Sequence, residues 1–413
     1  TVTVPTAGLA GSLERGTWFD GSSVESFART AESDMYLVPD PGTFRLLAAD
    51  ASPGTPTARL ICEARMPDGE PYPGDPRGAL RRATDTARRL GYEYRVGPEI
   101  EFFLLERDAA GAAHPLRGDR GGYFDYSTDR STAVRQAMVA ALGRLGIAVN
   151  AVHHEVEAGQ HEIDLAATSA LAAADDVVTL RYTLRAVAQA EGLVASFMPK
   201  PFTGRHGSGM HVHQSLAATE DAANSFADSR DEYGISETAR HFIAGQLHHA
   251  AGMSLVLAPL VNSYKRLVRG FEAPVFVSWA RTNRGALIRV PHTARADATR
   301  VELRAPDPSC NPYLAFAVML ACGVDGITRR LPLPAPVEES LWGFDDAELE
   351  RRNVAVLPDN LRDAIAAFEA DGVVRDALGD HLAERLLDAK RLEWDEYRRQ
   401  VTPWELATYL EGG

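Results

Sequence analysis

The chain reads as an α+β protein, and three features of its sequence predict this. Helical and strand-like stretches follow one another irregularly rather than in βαβ units. The first part, to about Pro73, is rich in Gly, Pro and short apolar alternations such as Phe44-Arg45-Leu46-Leu47, whereas long helical segments dominate afterwards. Finally, four short stretches carry an ionisable residue at every second position: Glu99-Ile100-Glu101, His211-Val212-His213, Glu162-Ile163-Asp164 and Arg300-Val301-Glu302-Leu303-Arg304. On a strand, residues i and i+2 share a face, so each stretch offers one apolar face and one ionised face. A single such stretch is an ordinary sheet edge. Four of them point to strands that turn charged faces toward a common cavity, with divalent metal to neutralise the carboxylates and anionic substrate to occupy the arginines.

The elements can be justified in order. Val2 and Val4 read as part of a strand, and with no methionine before Thr1 this suggests that sequence precedes it. A Pro- and Gly-rich linker spans Met66 to Pro76. Asp75 is then a good N-cap with Pro76 in the first helical position, opening a helix through Leu90 that stops at Gly91. A strand (Tyr92 to Leu105), a Gly-rich loop (Gly111 to Gly122) and a helix from about Thr132 to Leu145 follow. An Ala-rich helix with Ser169 as its cap fills the 168–192 region. Ser236 to Leu257 reads as one helix by its apolar spacing, and Pro312 to Ile327 as another. After a Pro-rich break at Leu331 to Pro336 the remainder is helical, ending in Arg391 to Leu410 with Trp394, Tyr397, Trp404 and Tyr409.

Bulk composition excludes several classes. At 413 residues, one large domain plus a smaller one is the expected division. A formal charge of −14 argues against general nucleic-acid binding and gives no reason to expect an anionic membrane as partner. The three cysteines, Cys62, Cys310 and Cys322, show no CxxC spacing, which suggests a reducing compartment without a disulfide framework or zinc ribbon. The longest apolar stretch, near Ala250 to Val261, is too short to span a bilayer, and no signal-like segment opens the chain. A soluble cytoplasmic protein is expected.

Six motifs in register carry a resemblance. Gly97-Pro98-Glu99-Ile100-Glu101-Phe102-Phe103, His153-His154-Glu155 with Gly159-Gln160-His161-Glu162, and Gly207-Ser208-Gly209-Met210-His211-Val212-His213 resemble glutamine synthetase of type I. So do Asn262-Ser263-Tyr264-Lys265-Arg266-Leu267, Asn283-Arg284 with Arg289, and Arg300-Val301-Glu302-Leu303-Arg304 followed by Asn311-Pro312-Tyr313. The match runs from Asp20 to the C-terminus and looks most like the actinobacterial side branches of the family. It implies a small N-terminal β-grasp-like domain (residues 1–73) and a catalytic domain (residues 74–413) with a curved antiparallel sheet, a half-barrel, flanked by helices. It also implies a dodecamer of two hexameric rings, with active sites between subunits.

By that resemblance, Glu101, Glu155 and Glu162 hold one Mg²⁺ or Mn²⁺, and Glu99, His211 and Glu302 hold another. His153 and His154 are expected behind the ligands or in the core. His213, Ser215, Arg289 and Arg300 match ATP contacts, while Gly207, Arg266 and Arg304 match the grip on glutamate. Arg284 matches a catalytic position near the transferred phosphoryl group. Asp20 and Ser23 resemble the part of the amine site contributed by a neighbouring subunit, completed by Tyr123 and Glu272, with Asp20 and Glu272 as proton acceptors. Glu272 lies in the loop Val268 to Pro274, which in the family closes over glutamate.

The sequence also departs from the family pattern. His206 stands where Asn usually precedes Gly-Ser-Gly, Asn150 replaces an acidic residue, Ala167 replaces an aromatic one, and Trp342 occupies the place of a tyrosine that some members adenylylate. The implied activity is glutamate–ammonia ligation through γ-glutamyl phosphate. The alternatives are ligation of an organic amine such as a polyamine or ethanolamine, and a non-catalytic relative. Another phosphotransferase, such as a guanidino kinase, would not need an amine site like Asp20 with Ser23.

Overall fold

The computed structural model describes residues 2–21, 34–47, 57–124, 129–271 and 273–412. The N-terminal part contains α1 (Leu9–Arg15), β1 (Thr17–Asp20), β2 (Asp34–Pro39), β3 (Arg45–Leu46), β4 (Ala58–Arg59) and β5 (Cys62–Arg65). Strands β1, β2 and β5 form an antiparallel sheet, and β3 with β4 a separate ribbon. Val2 and Val4 lie outside any strand: the residues before α1 form a short 3₁₀ turn at Thr6–Gly8, whose local hydrogen bonding leaves those valines exposed.

The larger part begins with α2 (Pro76–Arg89), then β6 (Tyr92–Arg107), β7 (Ala113–Pro115), α3 (Thr132–Arg144), β8 (Val149–His154), β9 (Gln160–Leu165), β10 (Thr168–Ser169) and α4 (Ala170–Ala190). It continues through β11 (Val194–Ser196), β12 (Met210–Ala218), α5 (Glu237–His248), α6 (Ala250–Leu257), α7 (Ser263–Arg266), β13 (Phe276–Ala280), β14 (Ala286–Arg289) and β15 (Val301–Leu303). It ends with α8 (Pro312–Arg329), α9 (Asp346–Arg351), α10 (Leu361–Ala370), α11 (Gly372–Leu378), α12 (Asp380–Tyr397) and α13 (Pro403–Tyr409). The fold is α+β, as expected.

Local chemistry sets several boundaries. The Asp75 carboxylate accepts from the Arg77 amide at 3.0 Å, and Pro76 fills the first position of α2. Ser169 occupies the N-cap position of α4, without a side-chain cap bond among the described residues. The helix expected over Ser236 to Leu257 is two helices, broken at His249. The last helix is likewise divided: Thr402 starts a new one by a capping box with Glu405.

The large sheet runs β13-β14-β15-β12-β6-β9-β8, with β7, β10 and β11 paired to the long β6. Every pairing is antiparallel except β13 with β14, so the sheet is mixed. Pleating sorts the residues of β6. Ile100, Phe102 and Leu104 enter the core beside Leu142 of α3, Leu180 and Leu184 of α4, and Phe316 of α8. Glu99, Glu101 and Phe103 alternate with them and face the other way.

A buried arginine joins the two parts. Arg77, at the start of α2, donates to Asp40 (2.7 Å) and Glu63 (3.0 Å) of the N-terminal part and to both oxygens of Asp175 on α4 (3.1 and 2.9 Å). Tyr313 of α8 adds a 2.6 Å bond to the same Asp175. Burial alone disfavours a guanidinium, but these carboxylates outweigh it and hold Arg77 charged.

A second buried charge fastens the C-terminal helices. At the break between α5 and α6, His249 is within 2.8 Å of Asp371, the N-cap of α11, and 3.0 Å of Asp325 on α8. Burial pulls its pKa down, yet the two carboxylates more than reverse this and raise it. A raised folded-state pKa means the stabilisation is complete below the usual histidine range and fades as pH rises through the folded value. We therefore expect His249→Gln to cost about 2 kcal/mol near pH 6 and clearly less near pH 9, measured by urea unfolding at both pH values. A cost that is the same at both would refute the charged bridge.

Candidate functional site

Strand register assembles the site. On β6, Glu99 lies opposite His211 of β12 on one side and Asp164 of β9 on the other, while Glu101 lies opposite Glu162. His213 faces Glu302 of β15, which in turn faces Arg289 of β14, and His153 of β8 faces Glu162. The ionised faces therefore meet across six adjacent strands. Apart from His213, the residues just named line a cavity of about 280 Å³ together with Tyr123, Glu155, Gln160, His206, Gly207, Arg266, Phe271, Arg284 and Arg304.

The carboxylates are crowded enough to favour a bound cation. Burial raises the pKa of Glu162 well above its usual value, and the charges of Glu101, Glu99, Asp164 and Glu155 raise it further. Asp164 is raised by burial and by Glu99, and its Oδ1 is buried without a hydrogen bond among the described residues. Glu99 behaves oppositely. Burial opposes its charge, but hydrogen bonds from His211 and His213 hold its carboxyl far below the ordinary range. Hard oxygen donors with one or two imidazoles suit Mg²⁺ or Mn²⁺, so the residues present fit the metal reading.

Around the cavity three groups of the described residues each bring three ligand atoms within 4.8 Å of one another: His153, Glu162 and Asp164, and two that include a glutamate of β6, Glu99 with His213 and Glu302, and Glu101 with Glu162 and His211. This differs from the expected division, in which His211 joined Glu99 and Glu302. His211 Nδ1 is in fact near both of the last two groups, 3.5 Å from Glu99 and 3.8 Å from Glu302. His213 Nε2 stands 2.5 Å from Glu99, and Arg300 Nε donates to His213 Nδ1 at 3.2 Å. Because an arginine only donates, the ring proton lies on Nε2 and points to Glu99. Glu155 belongs to none of the three and sits 3.2 Å from His153.

The arginines form the opposite wall. Glu302 is fully buried between Arg289 (2.5 Å) and Arg304 (2.7 Å). Burial opposes its charge, but His213, Arg304, His211 and Arg289 together keep it ionised. Arg266 is buried and donates to the carbonyls of Ala305 (2.9 Å) and Arg304 (3.1 Å), so it shapes the wall as well as charging it. Gly207 packs against it: an added Cβ would lie 2.3 Å from the Pro199 carbonyl oxygen and 3.2 Å from Arg266 Cβ. Arg284 is exposed within the cavity. His213, Arg300 and Ser215 do not line it. Ser215 continues the His211 and His213 face of β12, and Ala167 covers Gly97 of β6, where an added Cβ would come within 3.3 Å of it.

At the remaining end, Tyr123 stacks on His153 with ring centres 4.4 Å apart. Asp20 ends β1 in the N-terminal sheet and is not among the residues lining the cavity of this chain. Ser23 and Glu272 lie outside the described residues. Among the described residues, seven lining residues were not assigned to the site from sequence: His153, Val156, Gln160, Asp164, His206, Phe271 and Ala273. Asp164 had been noted on an ionised strand face, two residues from Glu162. Gln160 bridges Glu101 (3.1 Å) and the Gly207 carbonyl (3.0 Å). His153 was expected behind the ligands or in the core, but lies between Glu155 and Glu162 at 3.2 Å from each, because β8 pairs it directly with Glu162. His154 is buried as expected. His206 lines the cavity with its ring edge-on to Phe271 at 5.8 Å, and neither residue carried a motif that would have marked that contact.

Comparison with known proteins matches this geometry to a family. Residues 1–67 match the model described as "Glutamine synthetase, beta-Grasp domain", and residues 73–409 match "Glutamine synthetase, catalytic domain". The glutamine synthetase of Thermus thermophilus is 47% identical over 99% of this chain and 92% of that protein. The glutamine synthetase of Methanosarcina mazei is 45% identical over 98% of this chain and 90% of its own. Among solved structures, a GmaS/ADP complex superposes with a TM-score of 0.88 at 32% identity, covering 98% of this chain and 92% of that one. Carboxylates and arginines meeting on paired strands of a mixed sheet, behind a small N-terminal β-grasp domain, thus have a common origin: the chain belongs to the glutamine synthetase family.

Proposed function

We propose that the chain joins glutamate to ammonia, coupled to cleavage of ATP to ADP and phosphate. The observation that carries this reading is one cavity with a carboxylate wall on β6 and β9, His211 of β12 beside it, and an arginine wall from Arg266, Arg284, Arg289 and Arg304. Relatives named glutamine synthetase at 45–47% identity support it. We assign residues 1–73 to the β-grasp domain and residues 74–413 to the catalytic domain.

Glu101, Glu155 and Glu162, and Glu99, His211 and Glu302, would hold the divalent ions, which supply positive charge to the phosphate oxygens of ATP. His213, Ser215, Arg289 and Arg300 orient the nucleotide. Gly207, Arg266 and Arg304 hold glutamate so that its γ-carboxylate oxygen attacks the γ-phosphorus while ADP leaves. Arg284 stabilises the charge spreading over the transferred group. The acyl phosphate is then attacked by the amine nitrogen, phosphate departs, and the proton released by the amine passes to Asp20 of a neighbouring copy or to Glu272. Tyr123 and Ser23 complete the amine site.

A second reading, ligation of an organic amine, is favoured by the cavity mouth. Tyr123 and Val156 line the cavity while remaining 53% and 61% exposed, and Phe124 beside them is 94% exposed. Such apolar surface suits a carbon-bearing acceptor. Phosphate release from ATP with Mg²⁺ and glutamate, comparing ammonium with methylamine, ethanolamine and putrescine, separates the two. Turnover with ammonium at millimolar or lower concentration is expected; activity with an organic amine alone would establish the second reading, and silence with all would leave a non-catalytic relative.

Two substitutions should behave differently. Arg284 is exposed and holds no hydrogen bond or ion pair among the described residues, so Arg284→Ala should lower kcat about 100-fold with the melting temperature unchanged. Glu302 is fully buried between two arginines, so Glu302→Ala should lose activity and stability together, by about 3 kcal/mol or more. A well-folded, inactive Glu302→Ala would contradict its structural part in the wall.

We also assign the assembly contact to the end of the chain, where Val401, Trp404, Leu406, Tyr409 and Leu410 are all exposed on or beside α13. Large apolar side chains clustered in water commonly mark an interaction surface, and the family precedent is a double ring. Removing the residues after Thr402 should reduce the particle mass in light scattering, and an unchanged mass would refute this assignment.

A further inference from the structure

The segment 119–131 carries Tyr123, yet among its described residues no strand or helix holds it in place. Two buried carboxylates at its ends do so instead. Asp119 is 5% exposed. Its Oδ2 accepts from the Gly159 amide at 2.8 Å and from His154 Nε2 at 3.1 Å, and its Oδ1 accepts from the Gly121 amide at 3.2 Å. His154 is fixed in turn, its Nδ1 donating to the Glu155 carbonyl at 2.6 Å. One carboxylate thus ties the start of the segment to the turn between β8 and β9. At the other end, Asp129 is paired with Arg135 of α3, and Arg135 also donates to His161 Nδ1 of β9 at 3.1 Å. Both ends of the segment are therefore fastened to the hairpin that bears Glu155 and Glu162.

Space around Asp119 is tight. A Cβ added at Gly121 would lie 2.9 Å from His154 Cδ2 and 3.2 Å from Asp129 Cα. A Cβ at Gly159, which sits at φ +74°, would lie 2.8 Å from the Leu104 carbonyl oxygen. The node leaves little freedom for the loop to choose another course.

A metal ion is a poor candidate for this cluster, although Asp119, His154 and His161 have ligand atoms within 4.8 Å of one another. Arg135 donates to His161 Nδ1, so the other ring nitrogen carries the proton and offers no lone pair. Hydrogen bonding, not coordination, describes the node.

We infer that Asp119 is a positioning residue for the acceptor end of the site: by joining the Gly121 amide to the Gly159 amide and His154, it fixes the distance between Tyr123 and Glu155. This rests on the reading that Tyr123 meets the amine. Asp119 touches no reacting atom, and it acts through the loop. A merely structural carboxylate would affect all substrates alike, whereas a positioning one affects the acceptor most.

Asp119→Asn should raise KM for the acceptor amine about ten-fold, with KM for ATP and for glutamate within about two-fold of the wild type. Gly121→Ala, which leaves Asp119 in place but crowds His154, should give the same selective shift. The double variant Asp119→Asn with Tyr123→Ala should be no worse in KM than Tyr123→Ala alone, since coupled residues are not additive. An unchanged KM for the amine, an equal rise for all three substrates, or additive effects in the double variant would each overturn the inference. Amide exchange gives a readout independent of turnover. Peptides spanning 119–124 and 155–160 should exchange faster together in Asp119→Asn, and unaltered exchange would overturn the clamp even if no amine were turned over. Silence of the wild type with every amine would instead remove the functional reading of the preceding section.

Discussion

The structure depends on the mutual repulsion of carboxylates held on neighbouring strands. Glu99, Glu101, Glu162, Asp164 and Glu302 converge because the strands that carry them are hydrogen bonded in a fixed register, and at close range their charges penalise one another strongly. Two histidines and two arginines offset part of that cost, on Glu99 and Glu302 respectively. Glu162 keeps the largest unrelieved share. The same concentration of charge that makes the cavity hospitable to divalent cations makes it expensive without them, so ligand binding and folding stability share one set of side chains.

Around this strained centre the remainder is built to hold still. Arg77 locks the N-terminal sheet onto α2 and α4 with three carboxylates, and His249 locks α11 onto α8. Each bridge places its charge in the interior, and other polar ties reinforce both contacts: Arg45 donates to the Leu145 carbonyl at 2.8 Å, Arg59 to Thr179 at 2.6 Å, and Arg82 to the Leu378 carbonyl at 2.9 Å. Breaking either would leave buried charges without partners, the costliest kind of loss.

How much of this could be read in advance varies by residue. The alternation Glu99-Ile100-Glu101 is a within-strand pattern, so its two faces were legible, as were Asp75-Pro76 opening α2 and the charged faces of β9 and β12. Which strands lie side by side is not written in any one of them. That His153 would sit opposite Glu162, that Gln160 would reach Glu101, and that Asp164 would face Glu99 follow from pairing between distant segments. Asp119 was invisible for a related reason: a lone aspartate before glycines in a loop looks like a turn residue, and only its partners, 35 and 40 residues away, reveal otherwise. The break at His249 was hidden because apolar periodicity continues across it, while the carboxylates that favour the break come from α8 and the start of α11.

The long strand β6 has a consequence for how such a protein can change over time. It pairs with β12, β9, β7, β10 and β11, so a shift of one residue would send Glu99 and Glu101 into the core and Ile100 and Phe102 into the cavity. Its register is in effect frozen, and with it the half of the cavity lined by Glu99 and Glu101. Tyr123, Phe124 and His206 sit on connecting segments whose replacement disturbs no ladder. Lineages descended from this scaffold can therefore explore new acceptors through loops while inheriting their phosphoryl chemistry nearly unaltered.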